Sequence, residues 1–189
     1  MNPFSSLFNA YLRWRHSRGF GVHSPFAYNL VDIAVKPGIY GFYGYDLIED
    51  ALLSPQAKPY PRLRKDARLL LRFAAMLNPD QVLVYPSRQP VFKAAARGAG
   101  IPVDYYPLGS GGALPKGRTL LLTRGVLPDG EEIRRLLDGG VAIMAIEPDK
   151  TARGILTTGV SRGVVFEGTR IVIAISREEM AFVSYSMKL

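Results

Sequence analysis

The chain has 189 residues, of which 48% are hydrophobic and 21% charged, and it contains no cysteine. This composition is typical of a globular protein, and it excludes a disulfide scaffold and a thiolate metal site. The net charge of +8 favours an anionic partner, but because the cations are scattered along the chain we interpret them as a solvated basic surface.

The first 60 residues are rich in aromatic side chains and glycine, and they predict a helical extension. Phe4, Phe8 and Tyr11 recur at helical spacing, which indicates an amphipathic helix. Ser24 can cap a helix and Pro25 is tolerated at the first helical position, which indicates a second one. The predicted elements are helices over 2–16, 25–35 and 46–53, a compact aromatic turn over 39–45 and a linker over 56–61.

From residue 61 onwards, short apolar runs alternate with helical patterns. This alternation is typical of a parallel sheet with right-handed crossovers. Two strands near the end are separated only by Gly168 and Thr169, and so short a link predicts an antiparallel hairpin at one edge of the sheet. The predicted helices are 62–77, 91–97 and 131–138, and the predicted strands are 81–85, 103–106, 119–123, 141–146, 163–167, 170–175 and 181–187.

A segment reading G-V-H-S-P-F occupies residues 21–26. A tyrosine-rich stretch with a short acidic helix follows over 40–50, and a basic helix precedes the first strand. This order resembles the class I S-adenosylmethionine (SAM)-dependent methyltransferases, and most closely a group of small methyltransferase-like proteins of Bacteroidetes bacteria. The resemblance implies a Rossmann-like α/β fold, a three-layer sandwich whose mostly parallel sheet ends in an antiparallel hairpin.

The change in sequence pattern near residue 60 divides the chain into two parts. Residues 1–60 form a helical N-terminal extension, expected to cap the open edge of the sheet, and 61–189 form the Rossmann-like domain. Because 107–118 is too short for a complete strand–helix unit, we expect the sheet to lack one edge strand.

The glycine-rich cofactor turn of that family is not matched here. In active members the first strand ends in an acidic residue, and glycines let the backbone approach the cofactor. Val84 stands in place of the acid, and Pro86, Arg88 and Pro90 stand near the glycines. Proline removes an amide donor and fixes φ at a negative value, so this turn cannot copy the glycine turn. We therefore expect a methyltransferase-like protein with a degenerate SAM site, which needs no cofactor and binds a small ligand or a protein without catalysis.

Two alternative functions remain open. The first is an active SAM-dependent methyltransferase with a divergent cofactor site, acting on oxygen as the resemblance implies. Tyr85, Ser87 and Asp104 would then contact SAM, the last through the ribose hydroxyls. Glu147 or Asp149 would lie near the substrate. The second alternative is a basic module that binds nucleic acid or a membrane surface, and it rests on charge alone.

Four residues are further candidates for a cleft. His23 could be a general base, but a role in holding the turn before the second helix is favoured. Glu147 and Asp149 could hold a divalent metal, but a solvated turn is favoured because no third ligand is indicated. Arg88 lies just before a predicted helix N-terminus and could receive an anion there. No metal site is predicted, and His16 with His23 does not suffice for a multi-histidine zinc site.

The helix over 2–16 carries Trp14 with arginines nearby, a composition also found in helices that lie on membranes. We expect its apolar face to pack on the sheet or on a second subunit instead, the latter giving a homodimer. Neither a membrane nor nucleic acid is an expected partner. No apolar run reaches the roughly 18 residues that span a bilayer, and no secretory signal is evident, so we expect a cytoplasmic protein.

Overall fold

Seven strands form one mixed sheet in the computed structural model, which describes residues 8, 11–12, 14–15, 24–35, 44–86, 89–106, 114–187 and 189. The strands are β1 (Gln81–Tyr85), β2 (Val103–Tyr105), β3 (Thr119–Arg124), β4 (Ala142–Ile146), β5 (Gly163–Glu167), β6 (Ile171–Ser176) and β7 (Val183–Ser186). Their spatial order is β2-β1-β3-β4-β6-β5-β7. Only β6, among these described strands, runs against its neighbours.

Helices cover both faces of the sheet, as the alternating sequence pattern predicts. They are α1 (Pro25–Leu30), continued by a π-helical turn (Val31–Val35), α2 (Tyr45–Leu52), α3 (Leu63–Leu77), α4 (Pro90–Gly98), α5 (Gly130–Asp138) and α6 (Lys150–Thr158). Val82 and Val84 face α3 and α4, whereas Leu83 and Tyr85 face α5. Successive strand residues point to opposite faces. Because helices cover both faces, the buried strands are nearly continuous apolar runs. The fold is a Rossmann-like three-layer α/β sandwich.

The helix starts follow the capping chemistry of the sequence. The Ser24 hydroxyl accepts a hydrogen bond from the Ala27 amide at 3.3 Å, and Pro25 begins α1. Asp129 caps α5 in the same way, accepting from the Glu132 amide at 2.8 Å. These side chains satisfy amide groups that have no partner within the helix.

The described helices of the N-terminal segment pack on other helices. The π-helical turn lies against α3, and α2 lies against α4 and α3. Their buried side chains, including Leu30 and Ile48, belong to the same apolar core as α3 and one face of the sheet. The described part of this segment therefore packs with α3 and α4 on one face of the sheet, and its expected role as a cap over the open edge stays a prediction.

The predicted antiparallel hairpin is confirmed as β5 and β6. Within the sheet, β6 lies between β4 and β5, and β7 closes that side parallel to β5. Helix α6 is not among the predicted elements. Its sequence K-T-A-R-G-I-L-T-T contains Gly154 and three threonines, which are weak helix formers. For this reason the residue propensities do not predict a helix here.

At the other side of the sheet, β2 is the outermost strand among the described residues. The described part of the connection from β2 to β3, residues 114–118, contains no helix or strand, and the expected loss of an edge strand stays a prediction. None of the described helices is both long enough and apolar enough to cross a membrane.

Candidate functional site

The carboxyl ends of β1 and β3 mark the position where a ligand is expected in this fold. The chain leaves β1 through α4 on one face of the sheet, and it leaves β3 through α5 on the opposite face. In open α/β sheets this reversal creates a crevice just beyond the strand ends. Tyr85 and Arg124 are the last residues of the two strands.

The linker before α3 bridges this crevice. The side-chain amide of Gln89 donates to the Lys58 carbonyl at 2.7 Å, and the Lys58 amide donates to Gln89 Oε1 at 3.2 Å. Two residues later, the Tyr60 ring lies 3.6 Å from the guanidinium carbon of Arg124, measured to the ring centroid. The linker is thus fixed both to the start of α4 and to the end of β3.

Five side chains form a closed ring of contacts beside the linker, here called the carboxyl-edge network. Each member touches the next, so that charges are paired within the ring. The contacts are Tyr60 Oη to Asp66 Oδ2 (3.0 Å), Arg170 Nη2 to Asp66 Oδ2 (3.3 Å), Arg170 Nη2 to Glu147 Oε1 (2.8 Å), Arg124 Nη2 to Glu147 Oε2 (3.0 Å) and the stack of Arg124 on Tyr60.

The fold brings these residues together from distant parts of the chain. Asp66 lies in the first turn of α3, whereas Arg170 lies in the turn between β5 and β6. Glu147 follows β4 with a left-handed φ of 54°, which is uncommon for a residue with a side chain. Its amide donates to the Arg170 carbonyl at 2.6 Å. This bond holds the strained turn next to the arginine that Glu147 pairs with.

Helix α6 fixes the turn that carries Arg170. Arg153 on this helix donates to the carbonyl of Gly168 at 2.8 Å and to that of Thr169 at 3.0 Å. It also reaches the Glu167 carboxylate at 3.4 Å. Because one guanidinium binds three consecutive residues, the hairpin turn is held against α6 and Arg170 is directed toward the network.

The two carboxylates of the network have pKa values shifted in opposite directions. Burial raises the pKa of Asp66, which is only 3% exposed, despite the hydrogen bonds from Tyr60 and Arg170. The hydrogen bond from Arg170, aided by Arg124, lowers the pKa of Glu147 against the effect of burial. Burial and the charge of Asp66 raise the pKa of Tyr60, so its hydroxyl stays protonated and donates.

Replacing Glu147 by glutamine should destabilise the protein by about 1 kcal/mol at pH 7, because it weakens both arginine contacts of a half-exposed carboxylate. The pKa of Glu147 is lowered from 4.5 by folding, so its contribution is present above pH 4.5 and is lost as the pH falls through the folded pKa. Urea unfolding across the acid range should therefore show the difference between variant and wild type vanishing at low pH. A difference that is independent of pH would contradict this assignment.

The other face of the crevice is filled by aromatic rings. Tyr85 and Tyr106 are both buried and pack edge to face, with centroids 6.2 Å apart. The Tyr106 hydroxyl donates to Glu132 on α5, and Glu132 in turn pairs with Arg135 at 2.7 Å. The ends of β1 and β2 are therefore joined by packed rings on this face.

The remaining sequence candidates do not converge on one cleft. Asp104 is exposed on the edge strand β2, and its carboxylate accepts a hydrogen bond from the Tyr105 amide at 2.8 Å. Asp149 caps α6 by accepting from the Ala152 amide at 2.7 Å. His23, Ser87 and Arg88 lie outside the described residues, as does the glycine loop 109–112. Within the described ranges, no three histidine, aspartate or glutamate side chains form a group that could hold a metal.

Comparison of the chain with protein-family models, with curated proteins and with solved structures finds no match. Function must therefore be inferred from the chain's own residues and contacts.

Four members of the carboxyl-edge network, Tyr60, Asp66, Arg124 and Arg170, are not among the sequence candidates. Asp66 does carry a signal, because it lies beside Leu63, Ala67 and Leu70 on the apolar side of a strongly amphipathic helix. A carboxylate on such a face needs a partner. Tyr60 and Arg170 lie in loops and carry no comparable pattern.

Two cavities in the described part of the chain lie away from this crevice. The larger, of about 630 Å³, is at the opposite end of the sheet, where Thr119 and Ala142 begin β3 and β4. The other, of about 490 Å³, is lined by Glu131, Arg134 and Asp138 of α5. Neither cavity includes the end of β1.

Proposed function

We propose that this chain is a methyltransferase-like protein whose SAM site has degenerated, and that it acts by binding a small ligand or a partner protein without catalysis. The observation that carries the proposal is the linker across the crevice, held by Gln89 at one side and by Arg124 at the other. A cofactor in that position would have to displace both sets of contacts.

The residues after β1 support the loss of cofactor binding. A glycine-rich turn binds a nucleotide-type cofactor through close backbone approach and free amide groups. Here β1 ends in buried Tyr85 and continues into Pro86, which has no amide hydrogen to donate. Val84 takes the position of the acid that the family resemblance implies.

The acidic residues also lack the environment of a general base, which methyl transfer to oxygen needs. A general base must accept a proton from the substrate near neutral pH. Glu147 is bound by two arginines and its pKa is lowered, whereas Asp66 is buried behind the Tyr60 hydroxyl. Asp104, the candidate for binding ribose, is directed to its own backbone on the edge strand. These contacts favour a binding protein over the alternative of an active methyltransferase.

Calorimetric titration with SAM and with its demethylated product, S-adenosylhomocysteine, tests the proposal. We expect no binding heat and no rise in melting temperature at millimolar ligand, since a ligand that binds only the folded state must stabilise it. Micromolar binding of either compound would overturn the proposal and establish the enzyme alternative as the leading one.

A double variant, Tyr60→Ala with Gln89→Ala, separates a degenerate site from one that is merely covered. The variant removes the linker's contacts with Arg124 and Gln89 but leaves Tyr85 and Pro86 at the end of β1 unchanged. We expect it to remain unable to bind SAM, because the turn lacks the required backbone donors. Binding by this variant alone would show an intact site under a lid and would contradict degeneration.

A further inference from the structure

A row of aromatic side chains is exposed near the start of the chain. Phe8, Tyr11 and Trp14 are helical and spaced three residues apart, so they follow one side of the helix. Their exposed fractions are 60%, 50% and 44%. The rings of Tyr11 and Trp14 stack with centroids 6.2 Å apart. The sequence predicts that this face packs on the sheet or on a second subunit, but Phe8 and Tyr11 remain largely exposed on the single chain.

The same region is positively charged. The Arg15 guanidinium lies over the Tyr11 ring, 5.7 Å from its centroid. The sequence places Arg13 and Arg18 nearby, and it has no aspartate or glutamate before Asp32. Aromatic rings partition into the interface of a bilayer, and arginines bind lipid phosphates, so this combination complements an anionic membrane surface.

We propose that this aromatic face (Phe8, Tyr11, Trp14 and Arg15) docks on the headgroup region of an anionic lipid bilayer. The proposal does not depend on the fate of the cofactor site. A second copy of the chain is the competing occupant. A two-fold contact through this face would bring the arginines of one copy against those of the other, on chains that each carry a net charge of +8. Charge therefore favours the lipid surface.

Trp14 provides a direct probe because it is the single tryptophan of the chain. Its fluorescence is measured while the full-length chain is titrated with vesicles of phosphatidylcholine and phosphatidylglycerol, and separately with vesicles of phosphatidylcholine alone. We expect a blue shift and saturable partitioning with the anionic vesicles, weakened by high salt. Neutral vesicles should give little shift.

A matched pair of double variants tests the aromatic contribution. Phe8→Ser with Tyr11→Ser should lower partitioning by about tenfold or more, since both rings would enter the interface. Leu47→Ser with Leu53→Ser removes exposed apolar surface at and just after α2 and should leave partitioning unchanged. Because all four side chains are exposed, both variants should keep the wild-type melting temperature.

Three outcomes would overturn the proposal. The first is the absence of a spectral shift with anionic vesicles. The second is equal partitioning of the aromatic double variant and the wild type. The third is a blue shift that depends on protein concentration without vesicles, accompanied by a dimer in sedimentation, which would assign the face to self-association.

Discussion

Replacing Arg170 by methionine should lower the free energy of unfolding by about 3 kcal/mol at pH 7, because it leaves the buried Asp66 carboxylate without its cation. Arg170 donates to both Asp66 and Glu147, and methionine keeps only an unbranched apolar stem without the donors. Urea unfolding measures the loss. The loss should diminish on acidification, since protonated Asp66 no longer needs a positive partner.

Two controls separate this effect from a general loss of packing. Arg64→Met removes an exposed arginine from Glu49, which keeps its contact with Arg68, so stability should change by less than about 0.5 kcal/mol. The double variant Asp66→Asn with Arg170→Met should be less destabilised than the sum of the single variants, because the two residues interact directly. Additive losses would show that the ion pair with Asp66 is not the cause.

Replacing Gly98 by valine should destabilise the protein by a similar amount, about 3 kcal/mol, because the site has no room for a side chain. A Cβ on Gly98 would lie 2.7 Å from the Cα of Gly44, which is backbone and cannot turn aside, and 2.9 Å from Leu71 Cδ1. We expect the melting temperature to fall by about 9 °C. Hydrogen exchange should also accelerate in α2, which begins next to Gly44.

Gly154→Ala is the matched control, since it also adds carbon to a glycine within a helix. A Cβ there would meet no atom within 4 Å. Alanine favours the helix over glycine, so α6 should be stabilised by about 0.5–1 kcal/mol. Destabilisation by both substitutions would mean that close packing between α2 and α4 is not the cause of the Gly98 effect.

Most of the helices and strands could be predicted because the sequence patterns that indicate them lie within each element. The apolar runs over 81–85 and 119–124 predict buried strands. Ser24 and Pro25 predict the start of a helix, because serine caps a helix and proline is tolerated at its first position. The position of β6 could not be predicted, because a short hairpin link fixes only that β5 and β6 pair. Which of the two then pairs with β4 is decided by packing of the whole sheet.

The candidate site was predicted less well because its contacts are distant in sequence. The resemblance pointed to the end of β1, and the departures from a glycine-rich turn were visible there. The linker's contact with Gln89 joins residues 31 positions apart, and Arg170 meets Asp66 across 104 positions. The sequence around Gln89 does not indicate its contact with the linker, and the sequence around Arg170 does not indicate its contact with Asp66. Of these residues, only Asp66 has a sequence pattern that indicates a partner, because it is a carboxylate on an apolar helix face.

Because β6 lies between β4 and β5, the strands cannot join the sheet one by one in the order in which they are synthesised. Residues 163–167 are synthesised before the strand that joins them to the sheet, because β4 pairs with β6 and not with β5. Strands β5 and β6 must therefore join the sheet together as a hairpin, after residue 176 has been made, and β7 then pairs with β5. A chain stopped at residue 168 would expose the edge of β4, and β5 would have no partner to pair with.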